Sequence, residues 1–179
     1  MLRIGLGHDT HRLVDGSAIL LGGVRIEHTK SLFGHSDADV LLHAIADALL
    51  GAAGLGDIGE LFPDSDPGNR NRDSAEMLQI AWNQVRQHHW QVENLDIVVF
   101  AEKPKIAPQR EAIRQRIAEL LEIDVTQVGI KAKTGENVGF IGREEAISAE
   151  CVVLLRHRGI EHSRLGCVQK KSTRSRDDV

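Results

Sequence analysis

The chain has 179 residues, 41% of them apolar and 27% charged, the values of one globular domain, and with 3% aromatics and no Tyr its core must rest on Leu, Ile, Val and Ala. The net charge of −4 conceals an asymmetry: residues 156–179 carry seven Lys/Arg against three Asp/Glu, which leaves 15 basic and 23 acidic groups before them. Such an acidic body is a poor nucleic-acid binder, and its longest apolar stretch, 40–56, is interrupted by His43 and Asp47, which excludes a helical membrane span.

In chain order, residues 2–11 (LRIGLGHDTH) read as a first strand in which Gly5 and Gly7 allow close backbone approach. Residues two apart share a strand face, so Asp9 and His11 project together and His8 points away. Residues 18–26 read as a strand pair broken at Gly22-Gly23, a hairpin or a bulge, followed by a connecting loop over 28–33. The stretch GHSDADVLLHAIADALLGAAGLGDIGELFPD, residues 34–64, organises the rest. Ser36 suits an N-cap, Asp39 completes a capping box, and Asp37 and Asp39 fall in the first helical turn. Leu41, Ile45, Ala48, Leu49 and Ala52 form a buried stripe, and Asp39, His43 and Asp47 line a second face at i, i+4 and i+8. Gly51, Gly54, Gly56 and Gly59 mark where the helix must stop.

Residues 62–71 (FPDSDPGNRN) read as a mobile loop, either a lid or a plain surface loop. Asp73 and Glu76 form a second capping box, opening a helix to about residue 89 with Met77, Leu78, Ala81 and Val85 inward. Residues 95–101 (LDIVVFA) read as a central strand running into the turn Glu102-Lys103-Pro104-Lys105. Pro108 suits the first turn of a third helix, which buries Ile113, Ile117, Leu120 and Leu121. A strand over 128–132 leads to Lys133-Thr134-Gly135-Glu136 and the glycine-spaced run Gly139-Phe140-Ile141-Gly142-Arg143, and 147–156 form a last long strand. Strands interleaved with three amphipathic helices predict an α/β sandwich, one sheet with helices packed on it. The polar clusters at 9–11, 101–107 and 133–136 follow strands, where such folds bind ligands. We expect a single domain over 1–158 and a basic, solvated, disordered tail over 159–179. Two cysteines, Cys151 and Cys167, make no disulfide framework, and no secretory or transit signature is present. We therefore expect a bacterial-type cytoplasm, an organelle stroma being the alternative.

Alone, His43 fits a hydrogen-bonded core histidine as well as a ligand, and Asp9-x-His11 fits a structural pair as well as a metal pair. Together they offer one carboxylate oxygen and two imidazole nitrogens. That set suits tetrahedral zinc with its fourth position open, the arrangement of a reactive site.

With Asp9-x-His11, then GHSDADVLLHAIADALLGAAGLGDIGELFPDSDP, then KAKTGENVGFIGR, residues 2–156 closely resemble the 2-C-methyl-D-erythritol 2,4-cyclodiphosphate synthases of the non-mevalonate route to isoprenoids. The resemblance implies a homotrimer, each subunit with a four-stranded mixed sheet and helices on one face, and active sites between subunits. It implies that Asp9, His11 and His43 bind a divalent ion, usually zinc, and that Glu136 binds a second, Mg²⁺ or Mn²⁺, carried on the diphosphate. His35 and Thr134 match positions assigned to transition-state stabilisation. Asp57, Ile58 and Gly59, with Phe62, Pro63, Asp64, Ser65 and Asp66, resemble the segments that hold the methylerythritol and ribose parts. Ala101, Glu102, Lys103, Pro104, Lys105, Ile106 and Ala107 resemble the cytosine pocket. The implied substrate contacts also take in Asp9, His11, His35, Ser36, Lys133, Thr134, Gly135, Glu136, Phe140 and Arg143. The implied reaction is attack of the 2-phosphate of 4-diphosphocytidyl-2-C-methyl-D-erythritol 2-phosphate on its own β-phosphorus, releasing CMP, with neither nucleic acid nor membrane as partner. Two departures stand out: Lys133 and Gly135 fall within a segment that often carries three threonines before the glutamate, and Glu144 follows Arg143 where glycine is frequent. The residues alone also permit a zinc-dependent phosphoester hydrolase, with the same three ligands, or a non-catalytic trimer that binds nucleotides or isoprenoid phosphates.

Overall fold

The computed structural model describes residues 1–63 and 65–159; the expected tail from residue 160 onward, with Cys167, and Asp64 lie outside the described residues. Its centre is a five-stranded sheet in the order β4-β1-β7-β5-β6, built from β1 (Leu2–Asp15), β4 (Lys30–Phe33), β5 (Trp90–Phe100), β6 (Val128–Lys133) and β7 (Ala146–His157). β5 and β6 run parallel, and the other pairings are antiparallel. The sheet therefore has one strand more than expected. Residues 30–33, read as loop, pair with Arg12–Asp15 because β1 runs four residues beyond His11 and offers them an edge.

A separate hairpin joins β2 (Ala18–Leu21) and β3 (Val24–Glu27). Its two turn residues, Gly22 and Gly23, have φ of 62° and 73°, the left-handed pair a tight two-residue hairpin requires.

Helix α1 (Val40–Ala53) crosses β1 and β7 and is buried almost all round. The short α2 (Ile58–Leu61), which the glycine punctuation hid, follows it. Helices α3 (Ser74–Gln87) and α4 (Arg110–Leu121) complete the layer, α3 against α1 and β5 and α4 against β6. A single turn, α5 (Gly139–Gly142), precedes β7. One continuous cluster of Leu, Ile, Val and Ala from the helices and the covered sheet face forms the core. Cys151 lies within it, and burial pushes its thiol up to about 12, so it is inert packing.

Helix starts differ from the expected caps. Asp39, and not Ser36, is the N-cap of α1. Its Oδ1 accepts from the backbone N–H of Leu41, Leu42 and Gly22, and its Oδ2 accepts from that of Gly23 at 2.6 Å. Burial raises the Asp39 carboxyl above its ordinary range, and these donors oppose the rise. The carboxylate thus welds α1 to the hairpin turn and is not available to a ligand. Ser36 accepts from Ala38 N–H in a local turn, and no acid remains in the first turn of α1. At α3, Asp73 caps Ala75 N–H as expected, but Glu76 turns to Arg72 at 3.0 Å. The helix ends at Gln87 because His89 takes a left-handed φ of 62°. Pro108 sits in a 3₁₀ turn just before α4.

Gly5 and Gly7 set the depth of α1. A Cβ on Gly5 would lie 1.9 Å from the carbonyl oxygen of Ala48, and one on Gly7 would lie 1.9 Å from that of Ala44. On the opposite face, Leu2, Ile4, Leu6 and Val152 are exposed (Ile4 by 72%), and the register sets Ile4 beside Leu154 and Leu6 beside Val152. That face is an apolar strip with nothing over it among the described residues. Because backbone cannot move aside for a methyl group, Gly7→Ala should destabilise the fold by about 3 kcal/mol, measured as a lowered urea midpoint. An unchanged midpoint would show that α1 does not rest on β1 as described.

Candidate active site

Strand alternation brings Asp9 and His11 to the helix-covered face of β1, on the side that carries Gly5 and Gly7. With α1 lying on those glycines, His43 reaches down onto the same spot. His43 Nδ1 lies 2.9 Å from Asp9 Oδ2, His11 Nδ1 lies 3.5 Å from the same oxygen, and the two rings meet edge to face at 5.2 Å. Each of the three residues offers one ligand atom within 4.8 Å of the others.

A hydrogen-bond chain behind His43 fixes its tautomer. The Ser74 hydroxyl donates to Asp37 Oδ1, and the same carboxylate accepts from Ser74 N–H at 3.1 Å. With its proton spent, Ser74 Oγ can only accept from His43 Nε2, 2.9 Å away. The ring proton is then on Nε2, and the Nδ1 lone pair faces the Asp9 carboxylate. Two acceptors at 2.9 Å are stable only with a cation or proton between them. His11 Nε2 is buried with no hydrogen-bond partner among the described residues. Burial alone would raise the Asp9 carboxyl, but the contact with His43 and the electrostatic influence of the two imidazoles outweigh it and hold the group below its ordinary value. These observations fit a divalent cation, with one oxygen and two nitrogen donors and a second layer that orients them.

The triad lines a cavity of about 210 Å³ together with His35, Ser36, Ile58, Gly59 and Phe62, all expected there, and with Asp47 and Asn69. Asp47 Oδ1 accepts from Ile58 N–H at 2.8 Å and so holds the 57–59 turn beside the triad, while the Asp57 side chain caps α2 through Glu60 N–H. Burial raises the Asp47 carboxyl, and the Ile58 bond opposes it. A neighbouring cavity of about 480 Å³ takes in His35, Ser65 and Asp66. The Pro63 carbonyl accepts from Asn69 Nδ2 at 3.0 Å, which closes the 62–69 loop on itself.

A second cluster forms where β5 and β6 end. Ala101, Pro104, Lys105, Ile106, Ala107, Lys133 and Thr134 line a cavity of about 170 Å³ with Arg110. The side chains of Glu102 and Lys103 do not line it: Glu102 Oε2 accepts from Gly135 N–H at 3.0 Å, and Lys103 Nζ pairs with Glu144 Oε1 at 2.9 Å. The Thr134 hydroxyl donates to Glu136 Oε1. Arg143 is held by Glu145 through two bonds of 2.8 and 3.1 Å, and Phe140 is half exposed. Asp9 pairs with Ala149 of β7, and Ala149 pairs with Val99 of β5, so both clusters sit at the same end of the sheet. They stand two to three strand spacings apart, roughly 10–14 Å at the usual ~4.8 Å step. The two cavities share no residue.

Over residues 2–156 the chain matches the model of the YgbB family. It is 54% identical over 155 residues to the 2-C-methyl-D-erythritol 2,4-cyclodiphosphate synthase of Shouchella clausii, covering 87% of this chain and 98% of that protein. The synthase of a Geobacillus strain is 52% identical over 158 residues, 88% of this chain and all of that one. This chain belongs to the YgbB family of 2-C-methyl-D-erythritol 2,4-cyclodiphosphate synthases. Among solved structures it is similar to IspF of Plasmodium falciparum in complex with CDP, with 36% identity and a TM-score of 0.78 over 88% of this chain and 97% of that one. It is also similar to the bifunctional IspDF of Campylobacter jejuni, with 42% identity and a TM-score of 0.85 over 88% of this chain. The chain spans 42% of the length of that protein.

Sequence reasoning missed Ser74 and Asp37 as the support of His43. Asp37 read as a first-turn residue and Ser74 carried no signal of its own, and only the approach of α3 to α1 reveals the chain they form. Ser74→Ala should lower the affinity for a divalent ion on the order of 10-fold while leaving the fold intact, as titration of the metal-free protein with Zn²⁺ will show. His43→Ala should abolish stoichiometric binding, and a variant that keeps one equivalent of metal would remove His43 from the site.

Proposed function

We propose that the chain converts 4-diphosphocytidyl-2-C-methyl-D-erythritol 2-phosphate to 2-C-methyl-D-erythritol 2,4-cyclodiphosphate with release of CMP, as a phosphorus–oxygen lyase of the non-mevalonate pathway. The observation that carries this reading is the Asp9–His11–His43 cluster, with its facing acceptors and orphaned nitrogen, in a chain alike along its domain to synthases of that name. The bacterial relatives support a cytoplasmic setting.

The chemistry asks little of a general base. A phosphate monoester has a second pKa of ~6, so the attacking 2-phosphate is already ionised at neutral pH. Its oxygen forms the new P–O bond at the β-phosphorus, and the bond to CMP breaks with its electron pair leaving on the CMP phosphate. The barrier lies in bringing anions together and in line. Asp9, His11 and His43 would hold a divalent ion, zinc in our reading, and Glu136 a second, Mg²⁺ or Mn²⁺. Bound there, such ions supply charge neutralisation at the phosphoryl oxygens. His35, which lines the triad cavity, and Thr134, which lines the second cavity, would donate to charge that grows in the transition state. Residues 57–59 and 62–66 would hold the methylerythritol and ribose parts. The 101–107 loop would read the cytosine through backbone groups, a role that the CDP bound to IspF of P. falciparum supports.

One chain sets its triad two to three strand spacings, roughly 10–14 Å, from its own 101–107 cavity, at ~4.8 Å per strand. It also leaves an apolar sheet face uncovered among the described residues. Both favour a homotrimer whose active sites are shared between subunits.

Phosphorus NMR of the purified chain with the diphosphocytidyl substrate and Mg²⁺ should show a cyclic diphosphate and CMP; an open-chain phosphate would make the protein a hydrolase. Glu136→Gln should raise the Mg²⁺ requirement sharply at unchanged zinc content, and loss of zinc would place Glu136 in the first site. For shared sites, His43→Ala and Ala101→Trp subunits should each be inactive alone and regain CMP release when unfolded and refolded together. A misplacement of ~1 Å can cost on the order of 100-fold in rate, so only an intact triad facing an intact pocket restores turnover. Mixed trimers as inactive as their parents would place both halves on one subunit.

A further inference from the structure

The 101–107 loop is fastened to the body at its start by two bonds, Ala101 N–H to the Lys133 carbonyl at 2.9 Å and Gly135 N–H to the Glu102 carboxylate at 3.0 Å. At its far end Ile106 is buried in the core. Between them, the tie that reaches the middle of the loop is the pair of Lys103 Nζ with Glu144 Oε1 at 2.9 Å. Pro104 and Lys105, the next residues, line the second cavity, whereas Lys103 does not.

Glu144 occupies an unusual position for a side chain that merely decorates the surface. Its φ is 55°, in the left-handed region where glycine would sit without strain. Its carbonyl accepts from Lys30 Nζ of β4 at 2.6 Å, and the next residue, Glu145, accepts from Leu13 N–H of β1 at 2.7 Å. The backbone of Glu144 is therefore anchored on β1 and β4, while its carboxylate reaches the loop that follows β5. The Glu144 side chain is 24% exposed and that of Lys103 is 62% exposed, so the fixed partner is the carboxylate. The hydrogen bond from Lys103 holds the Glu144 carboxyl below its ordinary value, and the same contact raises the Lys103 ammonium, two directions that describe one attraction.

We propose that Glu144 is a positioning residue for nucleotide binding: by holding Lys103 away from the cavity, it keeps the Pro104–Ala107 arc in the shape that receives the cytidine diphosphate moiety. This rests on the reading of the 101–107 loop as the nucleotide pocket. The pair has a cost in backbone strain at residue 144 and returns order at the loop. Glu144→Gly relaxes the left-handed backbone and releases the loop in one change, so that melting temperature reads the first effect and CDP binding the second.

The test is calorimetric titration of the full chain and of Glu144→Gly with CDP and Mg²⁺, alongside thermal melting and amide exchange over residues 101–107. The expected result is a CDP Kd weaker by about three-fold, the scale of losing one exposed ion pair, with a melting temperature equal to or above wild type. Amide exchange should quicken over 102–107 and not in α1. The difference in Kd should vanish in ~1 M salt, where the screening length falls to ~3 Å. The exchanged pair Lys103→Glu with Glu144→Lys should return Kd to within about two-fold of wild type. CDP binding by Glu144→Gly that equals or exceeds wild type, with unaltered exchange over the loop, overturns the proposal, because Lys103 would then be neutral or better placed when freed. Absence of CDP binding by the wild-type chain overturns the nucleotide reading itself, and this inference with it.

Discussion

Backbone, and not side chain, is what α1 presents to β1. The carbonyls of Ala44 and Ala48 fill the space that any Cβ at Gly7 and Gly5 would need, so helix and strand meet as closely as two backbones can. That proximity is a precondition for the site. His43 is the residue before Ala44, and Asp9 and His11 continue the face that Gly5 and Gly7 begin. Raising the helix by the thickness of one methyl group would part His43 from Asp9 and leave a buried carboxylate without its partner. The close approach holds because α1 is buried on nearly every side and because Asp39 ties its first turn to the Gly22–Gly23 hairpin.

Four acids within 21 residues, Asp37, Asp39, Asp47 and Asp57, take distinct roles that their surroundings decide. Asp39 is wholly buried and spent on backbone donors. Asp37 orients Ser74 and through it the His43 ring. Asp47 and Asp57 hold the turn at residues 57–60. None of them stands in the Asp9–His11–His43 cluster. The one carboxylate that faces the imidazoles, Asp9, comes from a different element 28 positions before Asp37. An acidic body can therefore serve anionic chemistry, since these four carboxylates are engaged by backbone N–H and hydroxyl donors while Asp9 is turned to the imidazoles.

What could be read from the sequence follows the range of the forces involved. Strand alternation put Asp9 and His11 on one face, and helix spacing put His43 where it could join them, because both periods are set by local backbone geometry. The glycine pair Gly22-Gly23 signalled its hairpin for the same reason. Cap assignments failed at Ser36 and Glu76, where the choice among several capable side chains depends on what lies across the fold: a hairpin turn for Asp39, a guanidinium for Glu76. Strand β4 was missed because a four-residue edge strand has no signal apart from the partner it borrows. The resemblance gave residues 101–107 as one group, and in the structure their side chains divide into those that line the cavity and those that fasten the loop. That division is tertiary and no motif encodes it.

The two clusters are built to different standards of rigidity, and the difference suits their tasks. The triad stands on a strand and a helix locked by backbone contact, with oriented second-layer groups, which is what a fixed charge arrangement requires. The 101–107 cavity is walled by a loop held at its ends by one core side chain and a few hydrogen bonds, and at its middle by an exposed ion pair. On the function proposed for them, a base that enters and a nucleotide that leaves call for a wall that can open, and a phosphate met in line calls for one that cannot. Placing the stiff half at β1 and the loop-walled half at the ends of β5 and β6 lets one sheet carry both, with β7 between them and two to three strand spacings, roughly 10–14 Å, separating them.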